Sequence, residues 1–327
     1  MGAGADKPLL LCIMGPTAAG KTDLAIGLAQ ALDGELVSVD SALVYRGLDI
    51  GSAKPDYPHH LMNIRDPAES YSAADFAADA SRVVAEIVGR GRTPILVGGT
   101  MLYFRAFLQG LAPMPPSDPA IRTQLAEEAA RKGWPALHAT LQAADPRAAA
   151  AIHPHHSQRI SRALEVFLAS GVPLSDWHQQ SAVSSAAHYR VVQLAICPRE
   201  RAELHRRIEK RFRQMLAQGF LQEVARLHER SDLGPDLPAV RAVGYRQLWR
   251  YLDGDITLDD AVEQGIAASR QLAKRQLTWL RKWPGLYWLL TDPAGNVCAV
   301  GESEQGEPVA AELPLEVALN YVRHHPI

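Results

Sequence analysis

The stretch Leu9-Leu10-Leu11-Cys12-Ile13-Met14-Gly15-Pro16-Thr17-Ala18-Ala19-Gly20-Lys21-Thr22 decides the fold. An unbroken apolar run feeds a loop of the form G-x-x-x-x-G-K-[ST], and a helical pattern from Thr22 to Leu32 follows. Backbone N–H groups at such a helix start form a concave site for phosphate oxygens. Lys21 adds a point charge for the outer phosphates, and the Thr22 hydroxyl suits Mg²⁺. Gly15, Pro16, Thr17, Ala18, Ala19, Gly20, Lys21 and Thr22 are therefore the expected diphosphate- or nucleotide-binding residues. An ordinary tight turn between strand and helix would leave Gly15, Gly20 and the Lys21-Thr22 pair as coincidence.

Working outward, strand and helix alternate through the first hundred residues. Strands are expected at Leu9–Met14, Glu35–Val39 and Ile95–Val97, with helices at Thr22–Leu32, Ser72–Val88 and Thr100–Leu108. Ser72 and Asp75 have capping-box spacing. This alternation predicts a parallel sheet flanked by helices, with ligands at the C-terminal strand ends. Asp40-Ser41 and Gly98-Gly99-Thr100 fall at such ends. Asp40 can serve there as a Mg²⁺-supporting carboxylate or as a general base, or merely cap a turn. Gly98 and Gly99 would let a ligand approach the backbone, with Thr100 offering a hydroxyl, or Thr100 is simply a helix cap.

Prolines at 113, 115, 116 and 119 mark a linker. Residues 118–185 then read as an Ala-rich helical insertion closed by the soft stretch 181–187. A strand at Val191–Ile196 returns the chain to the sheet, so the core is expected to comprise 1–117 and 186–327. Helices run on to about Trp283, one of them starting at the cap Thr257, and the tail from Asp292 carries little signal.

The chain has 327 residues, 47% hydrophobic and 21% charged, with a net charge of −2, so any nucleic-acid site must be a local basic patch. Arg199–Arg213 is rich in arginine, but interleaved glutamates make a solvated helix face a serious alternative. Arg241-Ala242-Val243-Gly244-Tyr245-Arg246 is less bland, since arginine with tyrosine suits phosphate contact plus base stacking, and Gln158-Arg159-Ile160-Ser161-Arg162 is a second basic segment similar in kind. The cluster His153-Pro154-His155-His156 reads as a loop. Cys12, Cys197 and Cys298 are isolated, which argues against structural zinc and disulfides and suits a reducing cytoplasm. The N-terminus lacks a signal-peptide pattern, and no apolar run reaches the roughly 20 residues of a membrane span.

The stretches GPTAAGKT (15–22), DSALVYRGLDIGSAKP (40–55), GGTMLYFRA (98–106), DPRAAAAIHPHHSQRISRALEVF (145–167), IEKRFRQMLAQGF (208–220), LPAVRAVGYRQLW (237–249) and SRQLAKRQLTWLR (269–281) resemble the bacterial tRNA dimethylallyltransferases, in family order. Ala19 stands where the family often has Ser. The C-terminal zinc finger of eukaryotic relatives is not expected here.

The resemblance implies a P-loop NTPase-like α/β core with a helical insertion gripping the tRNA anticodon stem-loop. It also implies transfer of a dimethylallyl group from dimethylallyl diphosphate to N6 of the adenosine just 3′ of the anticodon. Mg²⁺ is the implied cofactor, held at Thr22; tRNA and dimethylallyl diphosphate are the implied partners, and a monomer is expected. Asp40, Thr100 and Thr22 are the implied catalytic residues, Asp40 as general base. Implied tRNA contacts are Asp40, Ser41, Ala42, Leu43, Thr100, Arg122, Gln158, Arg159, Ile160, Ser161, Arg162 and Arg241 to Arg246. The rivals are a P-loop small-molecule kinase, an isopentenyltransferase for free adenine nucleotides, and a non-enzymatic RNA-binding ATPase. Each leaves part of the motif set idle or predicts a different product.

Overall fold

A computed structural model describes residues 7–179 and 184–324. Its contacts divide the chain into two compact units. One runs to Leu108 and resumes at Ser185; the other is Gln109–Ser184.

The first unit is built on an eight-stranded sheet, counted among the described residues. Its elements are β1 (Leu9–Met14), α1 (Lys21–Ala31), β2 (Gly34–Val39), β3 (His59–His60), α2 (Ala73–Gly89), β4 (Thr93–Gly98) and α3 (Met101–Gln109). The regular elements of the second unit, among its described residues, are helices: α4 (Pro119–Lys132), α5 (Trp134–Ala144), α6 (Pro146–Ala151), α7 (Ser157–Ser170) and α8 (Leu174–Trp177). The chain then re-enters the first unit with β5 (Arg190–Pro198), α9 (Arg201–Ala217), α10 (Phe220–His228), α11 (Tyr245–Leu252) and α12 (Leu258–Leu280). It finishes with β6 (Tyr287–Thr291), β7 (Val297–Gly301), β8 (Glu307–Glu312) and α13 (Pro314–His324).

The strand order is β3-β2-β4-β1-β5-β6-β7-β8. β1 lies between β4 and β5, both parallel to it, and is covered on both faces, which is why it reads as one continuous apolar run. Leu10, Cys12 and Met14 enter one apolar layer, with residues of α2, α3 and α9 to α12. Leu11 and Ile13 enter the other, with residues of α1 and α13. The second unit closes its own core around Leu125, Leu137, Leu141, Ile160 and Leu164.

Helix starts follow the local chemistry. Ser72 and Asp75 form the capping box of α2, and Thr257 accepts a hydrogen bond from the Asp260 N–H at the start of α12. The tail corrects the sequence reading. β6 extends the parallel set, but β7 and β8 pair antiparallel, so the sheet is mixed and not purely parallel. β8 is exposed at every position and so has no buried face to leave an alternating pattern. β3, only two residues long, was equally invisible.

Register matters most for function. Met14 pairs with Gly98 and Ala195, and Gly98 with Val39. β1, β2, β4 and β5 therefore discharge their following loops at the same edge of the sheet.

Candidate active site

Three loops meet at that edge. After β1, the chain turns through Ala18 (φ 63°) and Gly20 (φ 95°) before α1 begins at Lys21. A left-handed backbone at a non-glycine residue is uncommon, and here it shapes the concavity expected of a phosphate loop. After β4 comes Gly99. A Cβ there would lie 2.3 Å from the Gln276 Nε2, so a larger residue would push that amide out of its place. Gln276 uses the approach fully. Its Oε1 accepts from the Thr17 N–H at 2.9 Å, and its Nε2 donates to the Gly99 carbonyl at 3.0 Å. One buried amide from α12 thus fixes two loops to each other.

The third loop follows β2. Asp40 Oδ1 accepts from the N–H groups of Ala42 (2.8 Å) and Leu43 (3.3 Å), a side-chain turn that fixes the carboxylate. Oδ2 makes no hydrogen bond among the described residues. Thr100 braces the arrangement. Its Oγ1 accepts from the Ser41 N–H at 3.1 Å, while its own N–H donates to the Val39 carbonyl at 3.2 Å.

Two adjoining cavities share these walls. The smaller, about 110 Å³, is lined by Thr17, Lys21, Thr22, Ser38, Asp40 and Arg211, among others. The larger, about 470 Å³, is lined by Ser41, Ala42, Tyr45, Thr100, Arg241 and Trp279, among others. Asp40, Gly99, Leu272 and Gln276 belong to both. A polar, cationic chamber therefore opens beside a wider one with aromatic walls, and the carboxylate stands between them.

The Lys21 Nζ donates to the Pro16 carbonyl at 2.6 Å. Burial, helped by the Arg211 guanidinium and opposed by Asp40, brings its pKa down to about 8. Arg211 is likewise lowered by burial, and it donates to the Thr17 hydroxyl. A lysine with this pKa is charged below about pH 8 and loses its proton as pH rises through that value. Affinity for inorganic diphosphate should therefore weaken above about pH 8, more steeply than in Lys21→Arg, whose guanidinium stays charged. Calorimetric titration of both proteins from neutral to about pH 9 checks this; parallel pH profiles would remove Lys21 from the anion site. Cys197 is pushed up to about 12 by burial and is unreactive.

The other expected residues divide. Ser41 is exposed, Ala42 and Leu43 are half-buried, and the three line the two chambers between them. Arg241, Ala242 and Val243 line the larger chamber, and Arg246 is exposed. Tyr245 is a correction. It is 1% exposed, and its hydroxyl donates to Glu223 Oε1 at 2.6 Å, so it has no face free for a base. Gly244 is buried with φ 90°, a turn residue. In the helical unit, Gln158 and Arg159 are exposed and Ser161 half-buried, but Ile160 is a core residue. Arg122 and Arg162 come together on the buried carboxylate of Glu165, at 2.9 and 2.8 Å.

Sequence reasoning passed over Gln276 and Trp279, and saw Arg211 only as part of a charged helix. On α9, Arg206 and Arg207 pair with the buried Glu203, and Arg213 pairs with Glu209. Arg211 alone reaches the phosphate loop. Gln276 did leave a signal, a polar residue in the buried phase Ala273, Leu277, Leu280 of α12. The described residues contain no group of three or more His, Cys, Asp or Glu that could hold a metal, so the histidine cluster is not one.

A model of the IPP transferase family matches residues 43–283. Among solved structures, the full-length tRNA isopentenylpyrophosphate transferase of Bacillus halodurans is 40% identical, over 86% of this chain and 89% of that one, with a TM-score of 0.62. The tRNA delta(2)-isopentenylpyrophosphate transferase of Staphylococcus epidermidis is 34% identical, over 88% and 95%, with a TM-score of 0.61. A eukaryotic dimethylallyltransferase acting on tRNA is 26% identical, over 88% and 75%, with a TM-score of 0.71.

Proposed function

Because the chain belongs to the IPP transferase family, we propose that its paired chambers transfer a dimethylallyl group from dimethylallyl diphosphate to tRNA. The acceptor is N6 of the adenosine 3′ of the anticodon. The observation that carries the reading is Asp40, held between a cationic chamber that suits a diphosphate and a wider chamber that suits a base.

Loop N–H groups, Lys21 and Arg211 bind the diphosphate. The C1–oxygen bond of the prenyl diphosphate breaks as the N6–C1 bond forms. The amine proton passes to Asp40 Oδ2, and diphosphate leaves with the electron pair. An adenine amine is a poor nucleophile because its lone pair is delocalised, so a fixed carboxylate accepting its proton helps attack. Thr100 acts by holding the Asp40–Ser41 turn. The polar groups facing the smaller chamber fit magnesium: the Thr22 hydroxyl and the Asp40 carboxylate are hard oxygen donors, and the Ser38 hydroxyl beside them has no hydrogen-bond partner among the described residues. Bound at Thr22, Mg²⁺ would stabilise charge developing on the leaving diphosphate.

RNA contacts come from the larger chamber's rim and from Arg122, Arg159 and Arg162 in the helical unit. A base in a folded loop must leave its stack to be modified, and the bases beside it then need a surface. Trp279 and Leu102 are 39% and 46% exposed, and both line the larger chamber with Arg241 and Arg275. Trp279 replaces Tyr245 as the aromatic platform. Trp279→Ala should raise KM for an anticodon stem-loop about tenfold or more while sparing KM for dimethylallyl diphosphate. Trp279→Phe should retain most of the affinity and lose the RNA-induced fluorescence change. Equal RNA KM values in wild type and Trp279→Ala would exclude the platform.

The direct test offers ¹⁴C-dimethylallyl diphosphate and Mg²⁺ with unmodified stem-loop RNA and, separately, AMP. Label on RNA alone supports the proposal, and label on AMP alone makes a free nucleotide the acceptor. No helix among the described residues is long and apolar enough to cross a membrane.

A further inference from the structure

Ser38 lies in β2, within the run Leu36-Val37-Ser38-Val39. Val37 and Val39 join one apolar layer, while Leu36 joins the layer beneath α1. Side chains alternate along a strand, so Ser38 faces the α1 side with Leu36. It is 2% exposed, and its hydroxyl has no hydrogen-bond partner among the described residues. Alanine there would leave no polar group unpaired, whereas a buried unsatisfied hydroxyl is destabilising.

Such a group calls for an explanation. Among the described residues two other buried side-chain atoms share the condition, Arg270 Nε and Thr291 Oγ1. Neither residue lines the smaller chamber. Ser38 does, alongside Thr22, Lys21, Asp40 and Arg211. It faces the chamber from the sheet floor, across from the loop of 15–22. Lys21 and Arg211 there are cationic, and Thr22 and Asp40 offer hard oxygen donors, so the chamber suits an anion carrying a divalent metal.

We propose that the Ser38 hydroxyl finds its missing partner in the ligand, donating to an oxygen of the magnesium-bound diphosphate. The phosphate loop grips the diphosphate from one side, and Ser38 contacts it from the floor of the sheet. This rests on the reading of the chamber as a diphosphate site. In the empty protein the hydroxyl is a liability, and in the filled one it is a contact. Fold stability and ligand affinity should therefore respond to its removal in opposite directions, which a purely structural serine would not produce.

The experiment uses the full chain, Ser38→Ala, and magnesium with inorganic diphosphate as the probe. Calorimetry reads affinity, and thermal melting with and without the probe reads stability. Ser38→Ala should bind magnesium diphosphate about tenfold more weakly, as expected for a lost hydrogen bond to a charged group. Its ligand-free Tm should equal or exceed that of the wild type. Unchanged affinity overturns the proposal, and a lower ligand-free Tm with unchanged affinity makes the hydroxyl part of the fold alone. If Ser38→Ala does not fold, Ser38→Cys, close in shape but only a weak donor, is read by the same titration. A wild type that fails to bind magnesium diphosphate refutes the diphosphate site itself.

Discussion

Asp40→Asn is expected to reduce prenyl transfer by a factor of about 10² to 10⁴, the range for losing a positioned general base. The substitution is informative because it spares the architecture. Asparagine keeps an Oδ1 that accepts from the Ala42 and Leu43 N–H groups, so the turn holding the site survives. What is lost is the basic second oxygen. The affinity for stem-loop RNA should stay within a fewfold of wild type, measured by filter binding or anisotropy. The charge change has a side effect of predictable sign. Asp40 raises the Lys21 pKa, so removing it should move the Lys21 titration below about 8. Turnover is therefore best compared at mildly acidic pH, where Lys21 is charged in both proteins. Wild-type turnover there would remove Asp40 as the base.

Arg211→Met should raise KM for dimethylallyl diphosphate by about a hundredfold, the scale of one or two buried charge-assisted hydrogen bonds. Methionine keeps an apolar stem of similar length, which limits repacking. The KM for RNA at saturating diphosphate substrate should change little, because Arg211 lines the smaller chamber and not the larger one. Arg211 depresses the Lys21 pKa, so its loss should shift that titration upward, opposite to Asp40→Asn. An unchanged KM for dimethylallyl diphosphate would show that Arg211 serves only to tether Thr17.

The two experiments probe residues of different legibility. Asp40 was readable because it ends an apolar strand in a chain whose phosphate loop already announced where ligands sit. Arg211 was not, because α9 carries several arginines at similar spacing. Only packing separates the one that turns inward from those that pair with Glu203 and Glu209. Tyr245 shows the converse error. Beside two arginines it resembled a stacking residue, but burial gives it to Glu223, which also accepts from the N–H groups of Asp49, Ile50 and Gly51. Short-range pattern cannot report which side of a helix meets another helix.

The sequence by itself determined the α/β class, the strand, loop and helix of residues 9–31, the helical character of the insertion read at 118–185, the caps at Ser72 and Thr257, and, through its motifs, the family. These follow from interactions between near neighbours: apolar periodicity, caps and loop glycines act over a few residues. Tertiary structure alone decided that Arg211, Gln276 and Trp279 join the site, and that the sheet ends in antiparallel strands. Arg211 meets Thr17 across 194 residues, and Gln276 meets it across 259. β8 acquires its pairing partner without any buried face of its own. Such contacts depend on which strand lies beside which and on the phase of a distant helix, and those are properties of the packed chain rather than of any segment within it.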